Sequence, residues 1–461
     1  MDSLNNSVMF INDNFLGYVL IIALLGCGVY FTVATRFVQF LNLGEMAKAL
    51  IDKDAASQNI SPFQALCIST AARVGTGNIA GVTIAIATAG PGAVFWMWLI
   101  ALIGAASAFA ESTLAQIYKV KDGPLFRGGP AYYMQKGLGK RWPALLFSVI
   151  LIITFGLVFN SVQANTIAQV FHNSFAVKSD YMGLFLCLVT GAIIFGGLRR
   201  IAHFSQVVVP FFAVVYILFT LAVMLLNIEK LPGIFASVFS EAFSLKNAAG
   251  GALGATIMTG ARRGLFSNEA GMGSAPNAAA TAKTSHPVKQ GYAQALGVFV
   301  DTLVICSCTA FIVLLTDYKN IGGVGIVMTQ GALAAHAGKF GVYFICFSLF
   351  LFAFTSIIGN YYYSQANVEY ISRSKRVMFV FRILVLAMVL FGAHTQVAVV
   401  WNLADMTMTL MALINITAVL LLRKFVLLAL KNYRAQRDAG KDPVFKTTDI
   451  KGLGPQEAWE E

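Results

Sequence analysis

The chain has 461 residues, enough by length for about three soluble domains, yet 57% are apolar, only 12% are charged and the mean hydropathy is +0.72. A soluble domain carries roughly 25% charged residues, so the composition excludes one and indicates an all-α polytopic membrane protein. The formal net charge of +12 then reports membrane topology and not a nucleic-acid partner.

Stretches long enough to cross a hydrocarbon core of about 30 Å at about 1.5 Å per residue predict eleven spans. They run approximately from Phe15 to Ala34, Pro62 to Ala89, Ala93 to Tyr118, Pro143 to Phe171, Tyr181 to Leu198, Phe204 to Leu226, Ala248 to Ala280, Gln290 to Leu315, Phe340 to Tyr363, Val377 to Phe391 and Val397 to Leu422. No Lys or Arg precedes Arg36, so the first stretch lacks a signal peptide's basic region and stays as a span. The six cysteines all fall in apolar stretches without metal-ligand spacing, which points to neither a disulfide framework nor a zinc site.

Cytoplasmic loops are enriched in Lys and Arg. With the N-terminus outside and the C-terminus inside, 24 of the 33 cations collect on the cytoplasmic side, five fall outside and four lie in or beside spans. Changing the number of spans in the middle of the chain would scatter them. Trp96, Trp98, Trp142 and Trp401 stand at span ends, where interfacial aromatics belong. Residues 1–422 read as one transmembrane domain and 423–461 as a polar, basic cytoplasmic tail, in which Gly440, Pro443 and Gly454 break any helix.

Span two carries Ala72-Arg73-Val74-Gly75-Thr76-Gly77-Asn78-Ile79-Ala80-Gly81, and span seven carries Ala261-Arg262-Arg263-Gly264 followed by Asn268-Glu269-Ala270-Gly271. Both read Ala-Arg-x-Gly and then Asn-x-Ala-Gly, the first halves 189 residues apart and the second halves 190. Their places in the span order differ by five, an odd number, so the copies cross in opposite directions, with a first repeat of about 62–227 and a second of about 247–422. Gly-interrupted segments at matching places in two inverted halves are the sequence mark of a secondary transporter's midplane site. Unwound backbone must line a cavity, where half-helix N-termini hold a carboxylate and freed carbonyls a cation.

With these motifs, and with Gly129-Pro-Ala-Tyr-Tyr-Met134, nearly the whole chain resembles the alanine/glycine:cation symporters, also called sodium:alanine symporters. The resemblance implies the LeuT-like five-plus-five inverted-repeat fold in spans two to eleven, with span one an added helix. It also implies sodium-coupled import of L- or D-alanine or glycine across a bacterial or archaeal cytoplasmic membrane by a monomer, with no organic cofactor. Proton coupling is the alternative, and serine and glutamine stay open as substrates.

The same resemblance places a sodium ion among carbonyls of Ala71, Val74 and Phe352 and hydroxyls of Thr355 and Ser356. Arg73 departs from the fold's pattern, which has a small residue facing a first sodium site there. The substrate would lie on Thr76, Gly77 and Asn78, opposite Asn268 and Gly271. Gln163 and Asn160 would close it from span four, or else make interhelical bonds, and Phe266 would limit side-chain volume. Glu269 either holds the substrate ammonium or a cation, or pairs with Arg73, Arg262 or Arg263, and Arg73 and Arg262 read as gating or structural charges. Glu111, Asp301 and Asp405 are further carboxylates at membrane depth, where charge is costly. No nucleophile with its base accompanies the breaks, which excludes an enzyme reading.

Overall fold

A computed structural model describes residues 9–10, 12–51, 59–196, 198–244 and 252–459. Helix α1 (Gly17–Ala34) precedes a helix pair broken at its motif, α2 (Pro62–Arg73) and α3 (Gly77–Ala89). Next come α4 (Gly92–Ile117), a hairpin of β1 (Val120–Asp122) and β2 (Leu125–Arg127), and α5 (Pro130–Leu138). They lead to α6 (Arg141–Phe175), α7 (Ser179–Ile194), α8 (Leu198–Leu226) and α9 (Leu231–Ala242). The second broken segment comprises α10 (Ala252–Asn268) and the short α11 (Pro276–Ala279). Then follow α12 (Pro287–Leu314), α13 (Ile326–Ile371), α14 (Lys375–His394), α15 (Val397–Leu421) and α16 (Arg423–Asp438). Non-helical φ/ψ at Ala337 and Gly338 divide α13, so that its arm 339–371 carries the expected ninth span.

Among the described residues, eight helices are long and apolar enough to cross a membrane. The three expected spans missing from that set have visible reasons. Span two is cut at its motif, α7 has only 16 residues, and α10 stops at Asn268, with the span's first residues, 248–251, outside the described ones.

Local chemistry sets both breaks. Ser61 caps α2 reciprocally: its hydroxyl accepts from Gln64 N at 3.1 Å and Gln64 Oε1 accepts from Ser61 N at 3.0 Å, with Pro62 opening the helix. The helix ends at Val74, whose backbone is extended (φ −77°, ψ 95°). At the second break the chain turns through positive φ at Glu269 (58°), Gly271 (84°) and Gly273 (84°). Glycine takes that region freely, whereas Glu269 stays there at a cost of about 1–2 kcal/mol.

Two sequence expectations change. Trp401 does not face outward as expected of an interfacial aromatic: it is buried in the protein, its ring 4.7 Å from that of Phe266. Nor is the tail a free extension, because α16 forms before Gly440 and the rest of the tail returns to the protein. Phe445 N donates to Ser285 O at 2.9 Å, and Trp459 Nε1 donates to Gln116 O at 2.9 Å.

Candidate functional site

The break after α2 is bound by side chains from four other segments. Gly75 N donates to Asn78 Oδ1 (2.9 Å), and Thr76 N donates to Gln163 Oε1 from α6 (2.9 Å). Asn78 Nδ2 then donates to Asp301 Oδ1 on α12 (2.7 Å), whose Oδ2 accepts from Ser267 on α10 (2.8 Å) and from Thr302 (2.9 Å). From α13, Ser356 Oγ reaches the freed carbonyl of Val74 (3.2 Å) and that of Phe352 (3.0 Å). Thr355 Oγ1 donates to Phe352 O (2.9 Å), and Ala71 is buried on the last turn before the break.

Glycine is required here because of this crowding. A Cβ at Gly75 would fall 2.2 Å from Ser356 Oγ and 2.9 Å from Gln163 Oε1, and one at Gly77 would fall 2.8 Å from the Phe266 ring. Phe266 itself is packed between Phe159 (centroids 4.6 Å apart) and Trp401 (4.7 Å), with each ring tilted against it. Arg263, bridged to Asp405, lies 4.6 Å above the Trp401 ring, a cation–π arrangement that fixes the aromatic wall.

The second break is held by Glu111 of α4, which accepts from Gly271 N (3.2 Å), Gly273 N (3.1 Å) and Asn415 Nδ2 of α15 (2.6 Å). Tyr133 donates to Asn415 Oδ1, and Asn415 Nδ2 also reaches Gly271 O (2.9 Å). Asn268 joins Thr302 and Ala270 N.

The structure thus brings Val74, Thr76, Asn78, Gln163, Phe266, Phe352, Thr355 and Ser356 to one centre. Others are arranged differently from the sequence expectation. The Thr76 N–H, where the substrate is expected to lie, is occupied by Gln163. Asn160 donates to Gly156 O of its own helix (3.1 Å). Among the described residues Glu269 makes no salt bridge to an arginine: it accepts from Ser274 (2.6 Å), while Arg263 takes Asp405 and Arg262 takes Asn12 O. Arg73 is 2% exposed, and its guanidinium makes no hydrogen bond to the described residues. It lies within electrostatic reach of Glu111, Glu269 and Asp301.

Sequence reasoning missed Phe159, Trp401 and Asn415. The first two were hidden among 37 Phe and five Trp, and Asn415 has no neighbouring motif.

Two broken helices joined by buried polar side chains around freed backbone are the geometry of a carrier's binding centre. The sodium:alanine symporter family model matches residues 1–447. The chain belongs to that family. It is similar to the probable sodium/glutamine symporter GlnT of Bacillus subtilis (strain 168), 53% identical over 459 residues, 99% of this chain and 96% of that protein. It is also 49% identical over 461 residues to the amino-acid carrier protein AlsT of the same organism, covering 100% and 99% of the two chains. The sodium/proton-dependent alanine carrier protein of Bacillus sp. (strain PS3) is 36% identical over 424 residues, 88% of this chain and 95% of that one. This member of the sodium:alanine symporter family is therefore a multi-pass membrane transporter for amino-acid symport, not an enzyme.

Proposed function

We propose that this symporter imports a small neutral amino acid, alanine or glycine, together with sodium by alternating access. The fold would be LeuT-like, with eleven spans, the N-terminus outside and the C-terminus inside a bacterial or archaeal cytoplasmic membrane. One observation carries the reading: the Ser356 hydroxyl lies on the freed carbonyl of Val74, beside a Thr76 N–H that a neutral amide holds. Val74 O, Phe352 O, Ser356 Oγ and Thr355 Oγ1, with Ala71 O one turn earlier, are the hard oxygen ligands that suit an alkali cation.

The substrate carboxylate takes the backbone N–H groups at Thr76 and Gly77, displacing Gln163 Oε1, and Gln163 then offers its amide N–H₂ to the same carboxylate. The ammonium faces Asn268, Gly271 and the carbonyls of the second break. Phe266, wedged by Phe159 and Trp401, bounds the side chain, which favours alanine or glycine over the glutamine in GlnT's name. Arg73, Arg262 and Glu269 act as gating or structural charges.

Proton coupling is the second reading. Two relatives are named sodium/proton-dependent, and Asp301 and Glu269 are buried carboxylates without an ion pair among the described residues.

Uptake of labelled alanine, glycine and glutamine into proteoliposomes, with and without sodium at fixed pH, tests the proposal. Alanine at Thr355 and Ser356 should raise the sodium concentration for half-maximal uptake by at least tenfold. Wild-type uptake indifferent to sodium but driven by a pH gradient would establish the proton reading instead.

A further inference from the structure

Helices α7 and α14 lie antiparallel. Asp180 meets His394 at one end, Cys187 Sγ donates to Leu386 O (3.1 Å) midway, and the Arg382 guanidinium covers the Phe195 ring at 4.9 Å near the other. The end of α7 and the start of α14 therefore meet on one face of the protein. A cavity of about 430 Å³ opens there, lined among others by Phe195, Glu369, Arg373, Lys375, Phe379 and Arg382.

Its charges do not balance. Glu369 is already engaged by Arg127 (2.6 Å) and by Gln365 Nε2 (2.8 Å). Arg373 and Lys375 are exposed and make no ion pair among the described residues, and Arg382 Nε donates only to the neutral Tyr361 hydroxyl (2.9 Å). Among the described lining residues, three cations thus border a cavity whose single carboxylate is committed elsewhere.

The rim has the opposite character. Phe195 (48% exposed) and Phe379 (56%) stand open, and Val380, Ile383 and Leu384 continue an outward apolar stripe along α14. Cations at a helix end above exposed aromatics and aliphatics are the pattern of a membrane interface, where guanidinium and ammonium groups hold phosphate while their surroundings face acyl chains.

We propose that this cavity binds the headgroup of an anionic phospholipid, its phosphodiester on Arg373, Lys375 and Arg382 and its chains along the outer face of α14. A free phosphate would share the cations but leave the aromatic rim in contact with water, so the observations favour the lipid. The site adjoins the 372–374 link between α13 and α14, and α13 also carries Thr355 and Ser356. Headgroup binding therefore stiffens the support of the central site without touching it.

The full-length protein, reconstituted in phosphatidylcholine vesicles with increasing phosphatidylglycerol, tests this through amino-acid uptake and through bound lipid in native mass spectrometry. Arg373→Gln with Lys375→Gln removes two exposed charges without disturbing the core, and Arg376→Gln removes a neighbouring cation outside the cavity. Each near-surface cation changes anionic-lipid affinity about fivefold. The double variant should thus need about 25-fold more phosphatidylglycerol for the same uptake and lose the bound lipid, while Arg376→Gln resembles wild type. An identical lipid response in wild type and double variant overturns the proposal. So does full replacement of the lipid effect by inorganic phosphate or glycerol phosphate, which assigns the cavity to a free anion.

Discussion

Glu111 and Asn415 close the second break between them, although 304 positions separate them: the amide donates to the carboxylate at 2.6 Å while that carboxylate accepts the N–H groups of Gly271 and Gly273. Each oxygen answers a donor that the unwound chain cannot satisfy within itself. Glu111→Gln keeps the shape but turns an N–H₂ toward one of those donors. Leaving a buried group unsatisfied costs about 1–3 kcal/mol, so the variant should melt several degrees lower in detergent. Glu111→Asp should fall below Glu111→Gln if reach, and not charge, is decisive, and the two melting curves distinguish these.

At the first break, crowding makes a sharper prediction. Gly75→Ala puts a Cβ 2.2 Å from Ser356 Oγ, far inside contact distance. The variant should transport at under about a tenth of the wild-type rate, with a shifted sodium dependence, because overpacking a tight site typically costs about 1–3 kcal/mol. Combining it with Ser356→Gly removes the obstructing hydroxyl and should restore substrate binding better than it restores sodium dependence. Measuring both in one double-mutant cycle checks whether Gly75 and Ser356 are coupled.

The two breaks are legible in the sequence because glycine and amide residues at membrane depth depart from the surrounding composition. The hydroxyl pair of α13 becomes legible only through resemblance to a known fold. Trp401 reads as an interfacial residue because local sequence cannot say which face of a helix start turns inward. Glu111 with Asn415, and Asn78 with Asp301 (223 positions apart), leave no spacing signal at all, since their pairing is created by packing between distant helices. The tail reads as polar because half of α16 faces water, yet its aromatic residues Tyr433, Phe445 and Trp459 bind the protein.

That tail should respond to pH. Lys119, just beyond α4, is almost fully buried, donates to Gln116 Oε1 (2.8 Å) and Ala282 O (2.9 Å), and lies 4.5 Å from the Trp459 ring. Burial, and then the adjacent charge of Lys283, pulls its ammonium down to about 7. When the tail lifts and water reaches Lys119, the ammonium regains the ordinary lysine value of about 10.4. Between those values docking releases a proton, so it strengthens as pH rises above about 7 and levels off below it. Fluorine NMR of a fluorotryptophan at Trp459 should show the docked fraction growing from pH 7 to pH 9. Lys119→Met should abolish the dependence, and an unchanged pH response in that variant refutes this role for Lys119.

Side-chain selectivity is the last consequence of the geometry. Phe266 is held 4.6 Å from Phe159 and 4.7 Å from Trp401, against the Gly77 backbone, and its position is secured through Arg263 and Asp405. Such a wedge of rings yields volume only when a ring is removed. Phe266→Ala should let leucine and glutamine compete with labelled alanine, with little loss of glycine binding, because glycine needs none of that wall. A methylene in an apolar pocket is worth about 1–3 kcal/mol, so the inhibition constants for the larger amino acids should improve by at least tenfold. Asp405→Asn leaves Arg263 buried without its counter-charge, which costs about 3–5 kcal/mol. It should broaden competition in the same direction while lowering stability, whereas Phe266→Ala changes selectivity more than it changes melting. Competition by a decarboxylated amine as strong as by alanine itself would exclude carboxylate anchoring at Thr76 and, with it, the orientation that points the side chain at Phe266.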